Sequence, residues 1–124
     1  LVVYPIIHWN KGDEKSVADI ISKIESWVIA SLETLGVKGY RDNRMQGVWV
    51  DGKKICSIGL SFLRWVSRHG FTINYDTPTG RVENLAGCGL QESTTTSLAQ
   101  LNYKIDRKKL QDSLLNTISD ILNR

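Results

Sequence analysis

Between Val17 and Leu35, apolar residues fall at Val17, Ile20, Ile21, Ile24, Trp27, Val28, Leu32 and Leu35. This i, i+3, i+4, i+7 spacing gathers them on one face of a helix, and a helix with such a face must bury it against another layer. Ser16 with Asp19 three residues later has the form of a capping box. Asp13 and Glu14 suit the positive end of the helix dipole, and Gly36 stops the helix at its far end. A second helix follows Asp106, a suitable N-cap, with Leu110, Leu114, Ile118 and Ile121 on one face.

The layer for these helices to cover is read from shorter apolar runs. Leu1 to Ile7 reads as a strand, with Pro5 pushing it toward a sheet edge. Gly47 to Val50, Ile55 to Val66 and Gly70 to Tyr75 read as further strands, and Asp51-Gly52 is a type I′ hairpin signal between two of them. Thr77 to Gly80 reads as a turn and Glu83 to Thr96 as a loop. The order strand, helix, several strands, helix predicts an α+β domain with helices packed on one face of a mostly antiparallel sheet.

At 124 residues the chain has room for one domain, and 41% hydrophobic with 23% charged residues is ordinary material for a globular core. No apolar run approaches the ~20 residues of a membrane-spanning helix, so a soluble protein is expected, with no membrane partner. Sixteen Lys and Arg against thirteen Asp and Glu give +3, with positives in pairs such as Lys53/Lys54 and Lys108/Lys109. That suits an acidic protein partner better than nucleic acid, which calls for a basic face interleaved with exposed aromatics. The chain opens at full hydrophobic strength on Leu1, without an initiator Met, so it is expected to be a piece of a longer polypeptide.

Two cysteines are too few for a disulfide scaffold and point to free thiols. Cys88 stands in Ala86-Gly87-Cys88-Gly89-Leu90, where flanking glycines let a backbone approach a ligand and aim amide N–H groups at an oxyanion. The alternative is a small buried hydrophobe in a tight turn. A thiol nucleophile needs a base or cation beside it. His8, His69 and Lys54 are the candidates, Lys54 because strand alternation puts it on one face with Cys56, Ile58 and Leu60. A hairpin-end lysine snorkelling to solvent is the other reading. No Cys and His pair has metal-ligand spacing. Cys56 reads as a core thiol, Trp27 and Trp49 as core, and Trp9 and Trp65 as residues near a pocket rim. Arg64 and Arg68 read as solvated strand charges, or as charges that steer an acidic carrier.

Leu1-Val2-Val3-Tyr4-Pro5-Ile6, Gly47-Val48-Trp49-Val50, Lys54-Ile55-Cys56-Ser57-Ile58-Gly59, Arg64-Trp65-Val66-Ser67-Arg68-His69-Gly70-Phe71, Asn74, Cys88-Gly89-Leu90 and Thr96-Ser97-Leu98 occur in this order. Together they resemble the octanoyltransferases of lipoate biosynthesis, the lipoate-protein ligase B type, over essentially the whole chain. The resemblance implies the lipoyl and biotin protein ligase fold, lacking its N-terminal part, with residues 1–124 forming the C-terminal portion of one catalytic domain. It implies Cys88 as acyl-accepting nucleophile and Lys54 as the residue that activates it. Ser57, Ile58, Gly59, Gly70, Phe71 and Thr72 would line the acyl site, and His69 would shape and polarise it.

By the same resemblance, an octanoyl group would pass from acyl carrier protein to a lysine of lipoyl domains of 2-oxoacid dehydrogenases or of the glycine cleavage H protein. No cofactor is implied, because a thioester is already activated. A monomer is expected, in the bacterial cytoplasm or in a mitochondrion or plastid. Gly87, Thr72 and Cys56 depart from the family's usual Pro, Ala and Ala. An ATP-dependent ligase of the same fold, or a non-catalytic binding module, are the other readings.

Overall fold

The computed structural model of the chain describes residues 1–76 and 95–124. Five strands, β1 (Val2–Val3), β2 (Tyr40–Asp42), β3 (Met45–Val50), β4 (Lys53–Leu63) and β5 (Val66–Ile73), form one antiparallel sheet in the order β1-β5-β4-β3-β2. Two helices, α1 (Val17–Thr34) and α2 (Arg107–Leu122), pack on each other and close the core against the sheet.

The helices form where the apolar period placed them. Ser16 Oγ accepts from the Asp19 N–H, and the Asp19 carboxylate accepts from the Ser16 N–H in return, so both halves of the capping box are present. Gly36 follows the helix in the left-handed region, at φ +77°. Asp106 caps α2 by accepting from the Lys109 N–H at 2.8 Å. Ile20, Ile24, Trp27, Val28 and Leu32 of α1 are buried with Leu110, Leu114 and Leu122 of α2 and with Val48, Val50, Ile55, Cys56, Phe71 and Ile73 of the sheet. Trp27 joins the layers: its indole N–H donates to the Leu114 carbonyl at 2.9 Å, and its ring meets Phe71 edge-on at 5.5 Å.

Two strand expectations are corrected. The run Ile55 to Val66 is not one strand, because Arg64 and Trp65 take φ of +50° and +65° and turn β4 back into β5. The turn carries neither Gly nor Asn, the residues that tolerate this region, so nothing local announced it. The hairpin at Asp51-Gly52 has the positive φ pair, +51° and +81°, that its sequence predicts.

The opening run is also shorter than a seven-residue strand. After Val2 and Val3 pair with Thr72 and Phe71, Pro5 has no N–H to offer, and the ladder is interrupted. The Ser67 hydroxyl spans the gap: it donates to the Pro5 carbonyl and accepts from the Ile7 N–H at 3.2 Å. Pairing resumes with Ser67 N–H to Ile7 carbonyl, a bridge from His8 to Val66, and Trp9 N–H to Trp65 carbonyl.

Candidate functional site

The β4–β5 register decides which side chains meet. Ser57 faces Thr72, Ile58 faces Phe71, Gly59 faces Gly70 and Leu60 faces His69. Two sequence motifs thirteen residues apart thus become one continuous surface, open as a groove of about 440 Å³. Lys54, Ser57, Ile58 and Gly59 line it from β4, and His69, Gly70, Phe71 and Thr72 from β5. The catalytic and acyl-site residues that the resemblance implies within the described part of the chain therefore lie on this one groove, whereas His8, the other candidate base, does not. Cys88 lies outside the described residues.

Gly70 is required by sterics. A Cβ built there would fall 1.8 Å from the Val3 carbonyl oxygen and 2.9 Å from Pro5 Cδ, so only glycine lets β1 lie against β5 at this point. His69, just before it, holds φ at +63° and stands exposed at the rim.

Lys54 is 4% exposed, which removes the reading of a lysine snorkelling to solvent. Its Nζ lies 3.1 Å from Met45 Sδ, and its carbonyl accepts from the Thr96 N–H at 3.0 Å where the chain returns at Thr95 beside it. Strict alternation fails around it. Val48 pairs with Cys56 but Trp49 pairs with Lys54, so Ile55 is an extra residue opposite β3, and Lys54, Ile55 and Cys56 are all buried in succession. Lys54 reaches the groove while Cys56 belongs to the core. Burial pushes the Cys56 thiol up to about 12, the nearby Lys54 charge opposing it.

Three groove residues were not anticipated: Val2, Tyr4 and Met45. Val2 in β1 and Tyr4 just after it turn alternate side chains outward, 55% and 64% exposed. Met45 is hidden in sequence between polar neighbours and found only through β3 pairing. Trp9 and Trp65 are not on this rim; with His8 they line a separate cavity of about 410 Å³. Arg64 sits in the β4–β5 turn rather than within a strand, and Arg68 on β5 is exposed.

Behind the groove, Glu25 of α1 is a buried carboxylate whose Oε2 accepts from the Gly47 N–H at 2.8 Å and whose Oε1 accepts from Arg41 Nε at 3.1 Å.

Residues 1–119 match the family model of the lipoyl protein ligase A/B catalytic domain. The chain belongs to this family. Among curated members it is 42% identical to the octanoyltransferase of Syntrophobacter fumaroxidans over 100 residues, covering 81% of this chain and 43% of that protein. It is 32% identical to the octanoyltransferase of Thermoanaerobacter sp. strain X514 over 121 residues, covering 98% of this chain and 53% of the relative. The chain thus spans about half the length of the curated family members it matches.

The family fold is equally clear in solved structures. A lipoate-protein ligase A bound with ATP superposes with a TM-score of 0.74 at 11% identity, over 90% of this chain and 49% of that one. The apo biotin protein ligase of Aquifex aeolicus gives 0.66 at 18% identity, over 84% and 45%. The α+β expectation, with its ligase-like sheet and packed helices, is met.

Proposed function

We propose that the protein containing this chain is an octanoyltransferase that moves an octanoyl group from acyl carrier protein to a lysine of lipoyl domains, through an acyl-enzyme on Cys88. The observation that carries the reading is the convergence of buried Lys54 with Ser57–Gly59 and Gly70–Thr72 on a single groove, in a chain whose curated relatives are octanoyltransferases. At about 440 Å³ the groove falls within the range of small-ligand sites, about 300–1,000 Å³. Its apolar members Val2, Tyr4, Ile58 and Phe71 suit an aliphatic chain.

In the first half-reaction Lys54 takes the Cys88 proton and, as ammonium, holds the thiolate. The thiolate adds to the thioester carbonyl, backbone N–H groups stabilise the oxyanion, and the carrier's thiol leaves with a proton. In the second half, the lipoyl-domain amine attacks the acyl-cysteine, an amide forms, and the Cys88 thiol is restored. The carrier chemistry requires neither ATP nor a metal. Cys88 lies seven positions before Thr95, which pairs beside Lys54; at about 3.3–3.6 Å per residue its backbone is within roughly 25 Å of Thr95. The lipoyl domains would be those of 2-oxoacid dehydrogenases and the glycine cleavage H protein. The bacterial relatives favour a cytoplasmic enzyme, and we take it to act as a monomer.

Single-turnover transfer from octanoyl carrier protein to a lipoyl domain, with mass-spectrometric trapping of the acylated protein, tests this. The octanoyl mass is expected on Cys88, Cys88→Ala should abolish turnover, and Lys54→Ala should slow acylation by about 10²-fold, with part of the loss recovered at higher pH. Turnover by Cys88→Ala, or transfer that needs ATP and free octanoate, would replace this mechanism with a ligase in which the lipoyl-domain lysine attacks directly.

A further inference from the structure

Glu25 is a carboxylate that no step above uses. Burying such a group is costly unless it is paired and hydrogen-bonded, and Glu25 is both. One oxygen meets Arg41, which is itself tied to α1 through the Ser22 carbonyl at 2.8 Å and Ser26 Oγ at 2.6 Å. The other oxygen crosses to the sheet and takes the Gly47 N–H. Gly47 is an unusual residue to hold: its φ is +131°, and a Cβ there would fall 2.3 Å from the Cys56 carbonyl oxygen and 3.0 Å from Lys54 Cε. The backbone of β3 at Gly47 therefore lies close to the aliphatic stem of Lys54, with no room for a side chain between them. Met45, two residues before, meets the amine at its tip, and the register shift falls immediately after, between Val48 and Trp49.

We propose that Glu25 is a positioning residue for Lys54. By fixing the Gly47 amide it sets the irregular stretch of β3 against which the lysine stem is braced, and so aims the amine into the groove. The inference rests on the proposed role of Lys54 in acylation. It adds that the α1 carboxylate, outside the groove, determines how well Lys54 performs that role. A carboxylate that only ties α1 to the sheet would leave Lys54 chemistry unchanged in folded protein.

The test uses the protein expressed from its complete reading frame, with Glu25→Ala and Glu25→Gln made alone and together with Lys54→Ala. Single-turnover acylation, the pH profile of Cys88 alkylation and the thermal midpoint are recorded for each. Glu25→Ala should slow acylation about tenfold and move the alkylation profile toward that of Lys54→Ala. Glu25→Gln, which keeps an acceptor for the Gly47 amide, should stay within about threefold of wild type. In the Lys54→Ala background, Glu25→Ala should add nothing, the signature of two residues acting as one unit. If Glu25→Ala does not fold, Glu25→Asp, one methylene short of the amide, takes its place. An equal loss in both backgrounds, or a lowered midpoint with unchanged rate and pH profile, overturns the positioning role and leaves the proposed function standing. A Lys54→Ala protein that acylates at the wild-type rate removes the role of Lys54, and with it that of Glu25.

Discussion

Cys56 has no exposed surface and a thiol pushed up to about 12 by burial, whereas Lys54, two residues earlier on the same strand, reaches the groove. A period-two reading puts both on one face, and it fails because Ile55 is an extra residue against β3, a feature set by pairing with another strand rather than by the local run. The groove residues were legible for a different reason. Ser57 to Gly59 and Gly70 to Thr72 carry family motifs, and the register that joins them follows once the β4–β5 turn is known. Glu25 was not legible, since on a helix pattern it is a polar residue among apolar ones and its partner Gly47 is 22 residues away. The two thiols should separate cleanly. With iodoacetamide at pH 8, Cys56 is expected to stay unlabelled in the native protein while Cys88 reacts, and to label fully in denaturant; peptide mapping that finds Cys56 labelled first in the native state would contradict its burial.

At the scale of elements, the helices were readable to within a residue or two because their caps and apolar periods agree, and the Asp51-Gly52 hairpin because its turn residues fit the geometry they adopt. The second hairpin was invisible for the opposite reason: Arg64 and Trp65 occupy left-handed conformations that cost such residues about 1–2 kcal/mol each, and long-range pairing of β4 with β5 overrides the local preference. This predicts a stabilising substitution. Arg64→Asn, which tolerates that region, should raise unfolding stability by about 0.5 kcal/mol in urea titration, because Arg64 is exposed and in a turn. A loss of stability would show that the Arg64 side chain supports the hairpin in some other way. Pro5 gave a partial warning in sequence that β1 could not run to Ile7, but the use of the Ser67 hydroxyl to bridge the interruption depends on a residue 62 positions away.

Across the whole molecule, one ionic cluster ties the two halves of the chain. Glu14, 3% exposed, accepts from Arg124 at 2.7 and 2.9 Å and from Lys23 at 2.6 Å, and Arg124 also lies over the Trp9 ring at 4.9 Å and donates to the His8 carbonyl. In sequence Glu14 looks like a charge for the dipole of α1, and partners so far away leave no local trace. The Arg124 hydrogen bonds, with those from Lys23, hold the Glu14 carboxyl down to about 2 from an ordinary 4.5. Since the folded protein binds this proton less readily than the unfolded chain, the contribution is complete above pH 4.5 and is lost as pH falls toward 2. Denaturant midpoints for wild type should therefore drop more steeply over that interval than those of Glu14→Gln; parallel curves would remove Glu14 from the acid response. The cluster also sets an order of events during synthesis. Lys23 follows Glu14 by nine residues, but Arg124 follows it by 110, so at about 5–20 residues per second the carboxylate waits roughly 5–20 s on the ribosome for its guanidinium. The adjacent hairpins of β3, β4 and β5 can close during that wait, so the sealing of Glu14 comes after them.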